Sequence, residues 1–152
     1  QLLFHEHMLP GFNDSGAHLI NLAFFDGNLL TLRIAARESV EKVAHAVRRL
    51  TREPAEFFRL DAGRIDPGAQ ADLVLIDPDA LLKYDTDANR RMVYRDIFEH
   101  EQLVNRSDGV VMAVFIAGEQ VWDGHDFMPA LGTRQLGRPL TAGGTAAARQ
   151  VA

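Results

Sequence analysis

GRIDPGAQADLVLIDPDAL, residues 63–81, carries two kinds of signal in one stretch. Pro67-Gly68 is a turn, and Leu73-Val74-Leu75-Ile76 is an unbroken apolar run bounded by Asp72 and by Asp77-Pro78. A short apolar run closed at both ends by turn residues predicts a buried β-strand rather than a helix. Before Gly63 the chain has helical character and after it a β-rich character, so this stretch marks an α+β organisation.

Upstream, Ser39 can cap a helix whose apolar positions Val40, Val43, Ala44, Val47 and Leu50 follow helical spacing. Glu41 in the first turn and Arg48, Arg49 in the last suit the helix dipole. Pro54 is tolerated in the first turn of a second short helix, and the pair predicts a helical hairpin with Phe57 and Phe58 available for burial. Leu19 to Arg37 is strongly apolar and divided by Asp26-Gly27-Asn28, which predicts two helical pieces around a turn. Residues 1–18, QLLFHEHMLPGFNDSGAH, predict a strand followed by a polar, glycine-flanked loop.

Downstream, residues 79–108 are charged and weakly periodic and predict loop and short helix. Val110 to Ile116 and Gln120 to Trp122 flank Ala117-Gly118-Glu119, the pattern of two strands joined by a tight turn. Phe24, Phe25, Phe57, Phe58 and Trp122 read as core. From Gly137 the chain is rich in Gly, Ala and Thr, with few large apolar groups to offset the entropy of ordering, which predicts a flexible tail. The expected divisions are therefore 1–62, 63–136 and the tail 137–152.

Of 152 residues, 21 are acidic and 16 basic, giving a formal net charge of -5. That balance carries no footprint for nucleic acid or an anionic membrane. No apolar run reaches the roughly 18 residues that span a bilayer, and no signal peptide is evident at the start. The absence of cysteine excludes disulfides and thiolate metal sites and is compatible with a cytoplasmic protein. No phosphate-binding glycine loop or nucleophile elbow occurs.

Asp14, in its glycine-flanked loop after an apolar segment, is the candidate catalytic residue; on local sequence alone an Asx-turn or helix cap is the favoured reading, and only a wider pattern reverses that. His5 and His7, one residue apart, would share a face of a strand and suit two ligands of one zinc ion. A zinc site needs further ligands, and His18, His45, His100 and His125 fall in segments of other types, so surface histidines are the expected reading. His45 is expected to be a partly exposed helix residue.

Three pieces in order, GFNDSGAH (11–18), LTREPAEFFRL (50–60) and GRIDPGAQADLVLIDPDAL (63–81), with the later AGEQVWDG (117–124), resemble the end of an amidohydrolase-superfamily enzyme. The loop around Asp14 and ALGTRQLGRPL (130–140) look most like the N-acyl-D-amino-acid deacylase (D-aminoacylase) group, and the resemblance covers residues 9–141. Asn13 stands where the family usually has Ser, and Ser15 where it has Ala; Asp14, Gly16, Ala17 and His18 are kept.

The resemblance implies the final strand and helices of a metal-dependent hydrolase (β/α)8 barrel, followed by part of a small composite β-sandwich domain. It implies a zinc-dependent amide hydrolase in which zinc polarises the carbonyl and generates hydroxide, while Asp14 takes the water's proton and passes it to the leaving amine. His18 and Ser15 would contact substrate, and Asp14 could also ligate the metal. The remaining ligands would lie in earlier strands, since a whole barrel needs roughly 250 residues. The chain, which begins with Gln1, is therefore expected to be a C-terminal portion, inactive and without bound zinc by itself, that self-associates through uncovered edges and apolar faces. A non-catalytic assembly or binding module, and a hydantoinase-like cyclic amidohydrolase, are the alternatives.

Overall fold

The computed structural model describes residues 4–9, 21–22, 26–105 and 109–143. A two-residue strand β1 (Asn21–Leu22) precedes three helices, α1 (Gly27–Ala36), α2 (Val40–Leu50) and α3 (Arg52–Phe57). Then come β2 (Leu73–Ile76), α4 (Pro78–Lys83), α5 (Thr86–Asn89), β3 (Arg90–Arg95), β4 (His100–Asn105), β5 (Val111–Ile116) and β6 (Glu119–Trp122). The strands form two sheets, ordered β1-β4-β3 and β2-β5-β6. Among the described residues no helix is long and apolar enough to cross a membrane.

Helix α2 starts where its cap requires, with the Lys42 backbone N–H donating to Ser39 Oγ at 3.3 Å. The helical hairpin with α3 is also as expected. The face that α2 buries is not. Val40 is 74% exposed and Val47 44%, whereas Ala46 is fully buried and Arg49 nearly so. Arg49 is accommodated because its Nη1 donates to Glu53 Oε2 at 3.2 Å, a charged partner one turn along in α3. With Ala35 of α1 also fully buried, small residues let α1 and α2 approach closely. The core they share includes Leu32, Leu81, Tyr84 and Val110, with Val43, Leu50 and Ile76 packed against it. Burial of each large aliphatic side chain here contributes roughly 1.5–3 kcal/mol. One core thus draws on residues from both sides of Gly63.

Four further expectations are corrected. Phe4 to Leu9 is not a strand: Met8 N–H donates to His5 C=O at 3.1 Å and His7 N–H to His5 Nδ1 at 3.2 Å, local bonds that close a turn in place of a ladder. The segment before Asp26 is not helical at Asn21–Leu22, which pair in parallel with Leu103–Val104. Phe57 and Phe58 are 69% and 57% exposed and pack edge to face on each other, not into the core. Strand β2, the edge of its sheet among the described residues, is less buried than its apolar run implies: Val74 is 57% and Leu75 58% exposed, and as neighbours on a strand they point to opposite faces, so neither face is fully covered.

The largest omission is the β3–β4 hairpin, six paired positions from Arg90↔Asn105 to Arg95↔His100 inside a stretch read as loop. Its alternation is disguised because Gln102, only 1% exposed, occupies an inward position beside Val104. The expected β5–β6 hairpin is present. Ala117 and Gly118 both have positive φ, 52° and 82°, as a two-residue turn between twisted strands demands. Asp72 and Ala71 hold that turn from outside: Ala117 N–H donates to Asp72 Oδ1 at 2.8 Å and Gly118 N–H to Ala71 C=O at 2.9 Å.

Of the tail expected to be flexible, residues 137–143 are described. Arg138 Nη2 donates to the Asp61 carbonyl at 2.8 Å and to its Oδ2 at 3.1 Å, and Gly143 N–H donates to Arg59 C=O at 2.9 Å. The Arg64 guanidinium and then Arg138 hold the Asp61 carboxyl below its ordinary range.

Candidate functional site

Asp14, Ser15 and His18 lie outside the described residues, as do Phe24 and Phe25. The described chain resumes at Asn21–Leu22, laid parallel against β4, and then at Asp26. Asp26 occupies the N-cap position of α1, where an aspartate ordinarily accepts from the helix's own first-turn N–H groups. It makes no such bond. Its carboxylate is instead 8% exposed and turned towards residues much later in the chain.

Three donors converge on Asp26 Oδ2: Tyr84 Oη at 2.9 Å, Thr86 Oγ1 at 2.7 Å and Asn105 Nδ2 at 2.8 Å. The Tyr84 hydroxyl also lies 2.9 Å from Asn105 Oδ1. The elements deliver these groups for local reasons. Tyr84 is the C-cap of α4, a helix begun by Pro78 and capped by Asp77, whose Oδ1 accepts from Asp79 and Ala80 N–H. Thr86 opens α5, capped by Asp85. Asn105 ends β4. Burial, followed by the hydrogen bond to Asp26, pushes the Tyr84 phenol above its ordinary pKa. Tyr84 is 3% exposed and stays a protonated donor throughout the physiological range. None of the four was a sequence candidate: Asp26 reads locally as part of a turn, and the others are isolated polar residues in a stretch without clear period.

The described histidines do not assemble. His5 and His7 are exposed in their turn, with ring centroids 5.6 Å apart, and His7 lies 3.5 Å from Glu6. His45 is half-buried on α2, as expected, with its ring 5.7 Å from Phe4. His100 stacks on Phe98 at 6.1 Å, and His125 sits in a turn closed by Asp123, whose Oδ1 accepts its backbone N–H at 2.9 Å. Among the described residues there is no group of three or more His, Cys, Asp or Glu that could hold a metal ion. The described donor set therefore does not fit zinc.

A chain with mixed helices and strands, the polar sequence GFNDSGAH at residues 11–18 and the ordered motifs on either side of Gly63 has the makings of a hydrolase-related segment. The sequence model of the amidohydrolase family matches residues 13–121, and the chain belongs to that family. Proteins designated uncharacterized in Mycobacterium bovis and Mycobacterium tuberculosis are each 35% identical to it over 122 residues, covering 77% of this chain and 20% of theirs. The chain spans about a fifth of the length of these relatives. No solved structure matches.

Proposed function

We propose that the chain is the C-terminal part of a zinc-dependent hydrolase of N-acyl-D-amino acids in which Asp14 carries the proton. The observation that supports this best is the extent of the family match, which opens at residue 13 and so includes Asp14 together with the motifs that follow. In this reading α1, α2 and α3 belong to the end of a barrel, and β2, β5 and β6 to a composite sandwich. A carboxylate at Asp14 accepts a proton from the attacking water and returns it to the departing amine nitrogen, which leaves as free amino acid. His18 and Ser15 flank it and orient substrate. Zinc dependence and preference for the D-series rest on the resemblance of the 11–18 and 130–140 segments, and the metal's ligands belong to other parts of the protein.

The test is hydrolysis of matched N-acetyl-D- and N-acetyl-L-amino acids by the intact protein, before and after dialysis against a chelator. Release of amine from the D-series, lost on chelation and restored by zinc, is the expected result. Ring opening of hydantoins in its place would transfer the chain to the cyclic amidohydrolases. Inertness towards both classes would leave an assembly module.

The exposed apolar side chains bear on assembly. Val40 and Val47 on α2, Phe57 and Phe58 after α3, and Val74 and Leu75 on β2 are uncovered among the described residues. Expressed by itself, the 152-residue chain is expected to self-associate through these faces, with its sedimentation coefficient rising with concentration. A concentration-independent monomer would count against that expectation.

A further inference from the structure

Asp26 departs from local preference. A residue able to cap its own helix leaves that helix uncapped by its side chain, and its carboxylate oxygen collects donors from residues 58, 60 and 79 positions away. Such a sacrifice of local bonding for tertiary bonding marks a position where placement of the chain outweighs helix stability. Just upstream, Asn21 and Leu22 pair with Leu103 and Val104, and the next residue of β4, Asn105, grips Asp26. Asn21–Leu22 and Asp26 are thus both held on one strand, the first by backbone pairing and the second by a buried side chain. That strand is the centre of its sheet, braced on its far side by all six pairs to β3.

We propose that Asp26, with Tyr84, Thr86 and Asn105, is a positioning clasp that fixes the start of α1, twelve residues after Asp14, on the β3–β4 hairpin and the α4–α5 segment before it. Its kinetic consequence rests on the reading of Asp14 as the proton carrier; its structural claim does not. None of the four residues touches substrate in this scheme. They act by fixing where α1 begins downstream of Asp14, and catalytic groups lose turnover sharply when their placement loosens.

The test uses the intact protein and three variants, Asp26→Ala, Asp26→Asn and Tyr84→Phe, with amide hydrogen exchange and steady-state kinetics measured on each. In Asp26→Ala, exchange over residues 21–28 is expected to rise about tenfold or more while α2 is unchanged, because the orphaned donors open that stretch locally. At the same time kcat falls about tenfold with KM nearly constant. Asp26→Asn, which keeps an acceptor oxygen, recovers part of both losses. If Asp26→Ala does not fold, Tyr84→Phe removes one donor without emptying its site, and a rise of about threefold confined to residues 21–28 is expected.

Exchange that rises equally in α2, or not at all, would overturn the clasp. Local loosening with kcat unchanged would overturn its positioning role. If Asp14→Asn leaves turnover intact, the assignment of Asp14 falls, and the exchange measurements still decide the clasp.

Discussion

Replacing Asp14 by Asn in the intact protein is expected to lower kcat for an N-acyl-D-amino acid about a thousandfold, with KM changed by no more than a few fold. The carboxamide matches the carboxylate in size and keeps a hydrogen-bonding oxygen, so binding and folding are spared. It cannot accept a proton from water near neutral pH, so in the proposed role both the attack on the carbonyl and the protonation of the departing nitrogen would lose their carrier. The comparison is saturating initial rates of wild type and variant at equal metal content, with circular dichroism to verify the fold. Turnover within a few fold of wild type would remove Asp14 from the mechanism.

The second large effect concerns stability. Gly63 has φ +75°, and a Cβ built on it would lie 2.5 Å from the Thr51 carbonyl oxygen, 2.7 Å from its carbon and 3.0 Å from Arg52 N. All three are backbone atoms at the junction of α2 and α3, so nothing there can swing aside. Gly63→Ala therefore combines an unfavourable backbone conformation with a steric overlap, and the expected loss is roughly 2–5 kcal/mol. Gly27→Ala is the control, because a Cβ at Gly27 meets nothing within 4 Å. Urea denaturation should show a much lower midpoint for the first variant and little change for the second. Similar midpoints for both would mean that the α2–α3 junction yields more readily than its packing indicates.

Local chemistry made part of this fold legible. Ser39 marks a helix start and Ala117-Gly118 a hairpin turn because cap and turn depend on neighbours in sequence. What depends on distant partners was hidden. The inward face of α2 is set by Ala46 and Arg49, and the Glu53 carboxylate gives the buried arginine a charged partner there. Of the apolar residues that follow helical spacing, Val43 and Leu50 pack against the core while Val40, Ala44 and Val47 are exposed, so periodicity located the helix and only part of its inward face. In β4 the buried Gln102 broke the apolar alternation that would have announced a strand. As for the candidate site, the family was legible in ordered motifs, and the residues carrying them at 11–18 lie outside the described structure. Asp26 was not legible, because its partners are 58 to 79 residues away and share no motif with it.

Asp77, the first residue after β2, donates its backbone N–H at 2.9 Å to the carbonyl of Val110, the last residue before β5. The two sheet strands thus meet where the intervening chain leaves and returns, and that chain contains α4, α5 and the whole β3–β4 hairpin. It is a cassette with a closed neck. That cassette is not a detached excursion: its Leu81 and Tyr84 enter the core shared with α1 and α2, and its Tyr84, Thr86 and Asn105 hold Asp26. One inserted segment thus ties the β2-β5-β6 sheet, whose turn Asp72 holds, to the beginning of α1.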